Sequence, residues 1–230
     1  MKVFTEWTVL PHRPIEKLTD NLWRVSGIVG SIQRQMAVGR LRDGRLMIVN
    51  AIALDEPAMA ELEAWGEPAI LVVPNGYHRL DARIWKQRYP KLTVVAPTRG
   101  RKRVERVVPV DTTSDRAPGD ASVRVVPMDG YDTDTLVQVD SSDGTTLVFC
   151  DAVLNLKPKG GATGFMLAPT GRPSTPRIQR WFMLRDRAAF AAHLDRLAAL
   201  PGLTRVLVGH GAPITDEPGT ALRAVAAELR

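Results

Sequence analysis

Apolar and polar positions alternate through much of the first fifty residues, as they do in strands with one buried face. Residues 21–25 and 31–41 keep this period of two. Asp43-Gly44, lying between Val38-Gly39-Arg40-Leu41 and Leu46-Met47-Ile48-Val49, is a strong hairpin signal. The period then changes: Asp55 is an N-cap, Pro57 lies in the first turn, and Met59, Leu62 and Trp65 recur at helical spacing until Gly66. Ile70-Leu71-Val72-Val73 is apolar at every position, the mark of a strand covered on both faces. A helix over residues 81–88, stopping before Pro90, and a strand over 92–96 follow.

Alternation returns at 123–126 and 136–139, and Ser142-Asp143-Gly144 turns the chain into an apolar strand over 146–150. Residues 157–177 are rich in Gly, Pro and Thr, which predicts a long uncovered loop suited to act as a lid. Asp186 caps a later helix whose apolar face is Phe190, Leu194 and Leu197. His193 lies one helical step from that face and reads as a half-buried histidine, not a ligand. Residues 205–208 form a last strand. The pattern predicts two sheets flanked by helices, without an internal sequence repeat.

With 230 residues, 44% hydrophobic and 24% charged, the chain can bury a full core, and no linker-like stretch divides it. One domain over residues 1–230 is the expectation. The N-terminus has no basic-then-apolar leader and no apolar run approaches the roughly 20 residues of a membrane span, which predicts a cytoplasmic protein with no membrane partner. Cys150 is the single cysteine and sits beside Val148 and Phe149, where a buried, inert thiol fits. The net charge of +6 reads as spread along the chain, with one dense run at Arg99-Gly100-Arg101-Lys102-Arg103 and Arg106. That run reads as a solvated loop and helix start. No aromatic residues interleave it as a nucleic-acid stacking surface requires, which argues against a nucleic-acid partner.

Four short segments carry the candidate chemistry: Pro74-Asn75-Gly76-Tyr77-His78, Asp129-Gly130-Tyr131-Asp132, Phe149-Cys150-Asp151-Ala152 and Val208-Gly209-His210-Gly211. The first follows a buried strand, so His78 falls on a loop at a strand's carboxyl end, where open α/β sheets bind ligands. Taken singly, Asp151 suits a turn or helix cap and His210 a hydrogen-bonded histidine in a glycine-rich turn. Two histidines and one carboxylate suffice for a mononuclear metal site, and His78, Asp151 and His210 would supply that set if the fold brings them together.

In order and spacing these segments resemble the metallo-β-lactamase fold, with most metal ligands replaced. The family carries an HxHxDH loop, a GHTxGS-like turn, a strand ending in a bridging Asp and a closing GH loop. If Asn75 stands at the first histidine, Tyr77, Arg79 and Leu80 occupy the other ligand positions. A shift by one puts Gly76, His78, Leu80 and Asp81 there, and neither register restores the motif. Tyr131 stands where the turn has its histidine, while Asp151 and His210 match the bridging aspartate and the last ligand. Asn21-Leu22-Trp23-Arg24, the hairpin at 42–46, Trp85 before Tyr89-Pro90 and Arg185-Asp186-Arg187 are similar to a poorly characterised branch of that superfamily, over about residues 18–214.

The resemblance implies an αββα sandwich of the metallo-β-lactamase type, with its cleft formed by the loops at 74–81, 129–134, 151–155 and 209–213. Three functional readings follow. In the first, the chain is a metal-free or weakly metal-binding relative that holds a small molecule or anion through Asn75, Tyr77, Arg79 and Tyr131. In the second, His78, Asp151 and His210 hold one zinc, iron or manganese ion and serve hydrolysis of an ester, lactone or phosphoester. The third is a relative that binds or processes nucleic acids, suggested by Arg99 to Arg106.

Overall fold

A computed structural model describes residues 3–230, and in it the strands build two sheets packed face to face. The larger holds β1 (Glu16–Lys17), β2 (Leu22–Val29), β3 (Ile32–Arg40), β4 (Arg45–Val49), β5 (Glu67–Val72), β6 (Thr93–Ala96) and β7 (Thr112–Thr113), in chain order. Its first four strands are antiparallel, joined at β3–β4 by the Asp43-Gly44 hairpin, and β4 to β7 run parallel. The smaller sheet contains β8 (Val123–Val126), β9 (Leu136–Ser141), β10 (Gly144–Val148) and β11 (Leu203–Leu207), ordered β11-β10-β9-β8. Within it, β11 lies parallel to β10.

Three apolar clusters define the layers. The central one joins Met47, Val49, Ile70, Val72 and Val95 of the large sheet to Val123, Val137, Val139, Val148 and Leu207 of the small one. Leu46, Ile48, Leu71 and Val94 point to the opposite face, where they meet Met59 and Leu62 of α1 (Glu56–Trp65) and Ile84 and Trp85 of α2 (Ala82–Arg88). This is why β4 to β6 read as continuous apolar runs: alternate side chains enter different cores. On the far side, Leu147 and Val206 pack against Phe190, Leu194 and Leu197 of α6 (Arg187–Ala198) and Leu222 and Val225 of α7 (Pro218–Ala227). The order helix, sheet, sheet, helix is the expected αββα sandwich. The helix starts hold as read: Asp55 accepts from Ala58 N and Asp186 from Ala189 N.

Three expectations need correction. Residues 157–177 are not a bare loop, since α4 (Gly161–Leu167) lies inside them and α5 (Arg177–Phe182) begins at their end, after the short α3 (Arg101–Val104) earlier in the chain. Helix α7 follows the last segment read from the sequence, although Pro218, Leu222, Val225 and Ala226 carry a helical spacing. The charge is not spread evenly: residues 157–187 hold Lys157, Lys159, Arg172, Arg177, Arg180, Arg185 and Arg187 against Asp186, equal to the whole excess of +6. Among the described residues, no helix is long and apolar enough to cross a membrane.

Candidate functional site

The four segments meet at the carboxyl ends of strands that belong to both sheets. Asn50 follows β4, Asn75 and His78 follow β5, Asp151 follows β10 and His210 follows β11. Two glycines let the chain bend at His210. A Cβ at position 209 would lie 2.9 Å from the Cys150 carbonyl oxygen, and Gly211 adopts a φ of +105° against the backbone of Asn155.

Two ring nitrogens and a carboxylate converge there. His78 Nε2 lies 3.2 Å from Asp151 Oδ2, His210 Nε2 lies 3.5 Å from Asp151 Oδ1, and the two Nε2 atoms are 3.2 Å apart. The outer ring nitrogens are already committed. His78 Nδ1 is 3.1 Å from Asn50 Oδ1, and Asn50 is oriented by donating its Nδ2 to the Gln35 carbonyl at 2.6 Å. His210 Nδ1 is 2.5 Å from the Gln33 carbonyl. Both acceptors require a proton on Nδ1, so each neutral ring presents an Nε2 lone pair to the other and to the Asp151 carboxylate.

Lone pairs and a carboxylate facing one point repel unless a cation stands between them. A metal ion or a proton meets that need. Zinc bonds of about 2.0–2.1 Å at tetrahedral angles place ligand atoms about 3.3 Å apart; the two Nε2 atoms stand at that spacing, and each meets a different oxygen of the Asp151 carboxylate. Outward donation of each Nδ1 to an oxygen is also the arrangement that orients metal-ligating histidines. A proton on His78 is the alternative: burial works against the charged ring, but Asp151 more than offsets it, and the pKa stands above the ordinary histidine value. Burial holds His210 below that value. For Asp151, burial is outweighed by His78, His210 and Asn75, and its carboxyl stays well below the usual range.

The remaining sequence candidates separate. Asn75 is a support: its Oδ1 accepts from Tyr77 N (2.9 Å) and His78 N (3.1 Å), and its Nδ2 donates to Asp151 Oδ2 at 2.9 Å. Tyr131 is buried, donates its hydroxyl to Gln179 Oε1 at 2.5 Å and lines a cavity of about 180 Å³ together with Asn75 and Asp151. Tyr77 is half exposed beneath the Arg103 guanidinium, 3.9 Å from its ring centre. Arg79 does not join the site, because its guanidinium donates to the Arg103 carbonyl and lines neither cavity beside the cluster. Asp81, a ligand position in the shifted register, is taken instead by a buried ion pair with Arg34 and by Ala53 N at 3.0 Å. His193 is more buried than its helix position suggested and faces Asp129.

Sequence reasoning missed Asp134, Arg34 and Asn50. Asp134 is buried behind Asp151 and accepts from the backbone N–H groups of Thr135, Asp151 and Ala152 at 2.8–2.9 Å. Burial and the neighbouring Asp151 push its carboxyl up to about 7. In the basic run, Arg101 pairs with Glu105 and Arg99 with Asp132. A second cavity, of about 280 Å³, opens on the other side of the cluster. Its walls include Ile32, Leu80, Leu154, Leu167 and Ile178, so α4 and the start of α5 cover the site.

No protein-family model matches the sequence, and comparison with curated proteins gives no match. Solved structures do match. A structure of DIM-1 metallo-β-lactamase exposed to ceftazidime aligns over 97% of this chain and 100% of its own, at 17% identity and a TM-score of 0.65. A metallo-β-lactamase from Erythrobacter litoralis aligns over 93% of this chain and 96% of its own, at 14% identity and a TM-score of 0.62. FIM-1 from Pseudomonas aeruginosa, in a mono-zinc form, aligns over 94% and 96%, at 12% identity and a TM-score of 0.58. The chain has the metallo-β-lactamase fold, and at these identities the likeness is one of fold.

Proposed function

We propose that this chain is a metal-dependent hydrolase with a mononuclear centre held by His78, Asp151 and His210, acting on an ester, lactone or phosphoester. The observation that carries the reading is the convergence of two Nε2 lone pairs and one carboxylate at 3.2–3.5 Å, with both Nδ1 atoms turned outward to oxygen acceptors. A single ion fits the inventory: Asn75, Tyr77 and Tyr131 stand at positions where the resemblance puts histidines, and none offers a neutral nitrogen donor. FIM-1 in its mono-zinc form gives one-ion occupancy a precedent in this fold.

His78, Asp151 and His210 would hold the ion, whose chemistry would be to lower the pKa of a water and to polarise the bond to be cleaved. The chain's own residues do the rest. Asn75 fixes the carboxylate of Asp151, Asn50 and the Gln33 carbonyl fix the two ring tautomers, and the apolar walls of the larger cavity shed water from a substrate's acyl or alkyl body. A metal-free binder remains the competing reading, favoured by the raised pKa of His78, which lets a proton replace the ion.

The test is the melting temperature of wild type, Asp151→Asn and His210→Ala, with chelator and with added zinc, manganese or iron(II), alongside metal content per chain. The proposal expects one ion per chain and a metal-dependent rise in wild type alone. Equal behaviour of all three proteins, or two tightly held ions, overturns it.

A further inference from the structure

Strand β3 brackets the cluster with three successive residues. The carbonyls of Gln33 and Gln35 orient His210 and, through Asn50, His78. They are available because β4 pairs with β3 only from Ala37 onward. Arg34 lies between them, and its side chain is 7% exposed. It shares the same face of β3 as Met36 and Val38, which enter the outer core of the large sheet, yet it also lines the cavity of about 280 Å³ that contains His78, Asp151 and His210.

The guanidinium is only partly used. Nη1 donates to Asp81 Oδ2, and the other oxygen of Asp81 accepts from Ala53 N. Nε and Nη2 are buried with no hydrogen-bond partner. Those two atoms form the side-on edge of the guanidinium, the fork that receives an oxyanion through two parallel N–H···O bonds. Both atoms are covered, yet buried donors in native proteins are nearly always satisfied, so an unpaired fork on a residue of the cavity wall points to a ligand that completes it as the wall yields. Charge in this cavity is divided: Asp81 balances Arg34 and the Asp151 carboxylate also lines the wall, so it is the unpaired fork, and not a surplus of positive charge, that would select an oxyanion.

We infer that Arg34 is the anchor for an anionic group of the substrate, a carboxylate or phosphate carried on a small apolar body, bound in the cavity that Arg34 shares with His78, Asp151 and His210. The inference rests on the proposed hydrolytic site for the word substrate, but the anion site itself needs no bound ion. The cavity is at the small end of ligand sites, which run from about 300 to 1,000 Å³, and its apolar walls suit an aryl or short alkyl body.

The experiment uses full-length protein freed of metal with chelator, so that an anion cannot register by ligating an ion. Calorimetric titration compares phenylacetate and phenyl phosphate with neutral phenylacetamide on wild type, Arg34→Met, Arg34→Lys and Asp81→Asn. At least one anion is expected to bind wild type more tightly than the amide does, and which one binds separates carboxylate from phosphate. Arg34→Met should weaken that anion roughly ten- to hundredfold. Arg34→Lys keeps the charge but loses the fork, and should lose most of the affinity even if Arg34→Met fails to fold. Asp81→Asn should bind the anion no more weakly than wild type. Anion binding equal in wild type and Arg34→Lys, amide binding as tight as anion binding, or no binding of either anion at millimolar concentration overturns the inference. Anion binding through Arg34 in a protein that shows no metal response would sink the hydrolase reading alone.

Discussion

His78 and His210 face each other through Nε2 atoms 3.2 Å apart, while Asn50 and the Gln33 carbonyl hold their Nδ1 atoms from behind. The affinity of the proposed centre for an ion would therefore depend on residues that never touch it. Asn50→Leu removes the acceptor that fixes the His78 tautomer and leaves His78, Asp151 and His210 in place. Loss of such an outer partner costs about ten- to a hundredfold in metal affinity. Zinc titration against a competing chelator should show that weakening in Asn50→Leu, and an unchanged affinity would mean that His78 needs no orienting partner.

Asn75 performs two tasks with one amide. Its oxygen closes the turn at Tyr77 N and His78 N, and its nitrogen holds Asp151. Asn75→Ala should destabilise the fold by about 1–3 kcal/mol, the range for leaving buried partners unsatisfied, and should weaken metal binding as well. Asn75→His replaces the residue that stands at the first histidine in one register of the resemblance. It should not add a second ion, because Tyr77 and Tyr131 still supply no nitrogen. Metal content of the purified variants, with melting curves, reads both outcomes.

The sandwich was legible because its strands must enter two cores: Ile70 to Val73 is apolar at each position since even and odd side chains pack in different layers. The caps Asp55 and Asp186 were legible because an N-cap is a local contact. His78, Asp151 and His210 could be nominated from the strand ends that carry them, but their spacing came only from the packed sheets. Arg34 left a signal that went unread, a charge on the same parity as Met36 and Val38. Asp81 and Arg79 could not be sorted from the sequence. Each is diverted by a partner far along the chain, Arg34 in one case and the Arg103 carbonyl in the other.

Backbone geometry at Gly211 gives a prediction for the closing loop. A Cβ there would lie 2.1 Å from the Asn155 carbonyl oxygen, at a φ of +105° that side chains rarely adopt. Gly211→Ala should cost at least the roughly 1–3 kcal/mol typical of forcing such a conformation, and more if Asn155 cannot yield. Since the displaced backbone adjoins His210, the variant should also lose the metal-dependent rise in melting temperature. A variant that melts like wild type with its metal response intact would show that the loop has slack the packing does not reveal.

His193 gives a pH signature outside the candidate site. Burial lowers its pKa below the ordinary value of 6.5, and Asp129 offsets that only in part. Its Nε2 is buried without a partner, and Nδ1 lies 3.5 Å from Asp129 Oδ2. Below pH 6.5 the unfolded chain therefore binds a proton at this ring more readily than the folded chain does. Stability from this group is full above that pH and is lost as pH falls from there through the folded pKa. His193→Gln removes the titration and leaves every other group in place. The free-energy difference between wild type and His193→Gln, from denaturant melts at intervals between pH 7 and pH 5, should shift steadily against the wild type as pH falls. A difference that stays constant across that range would mean that His193 takes up its proton as easily in the folded protein as in the unfolded one.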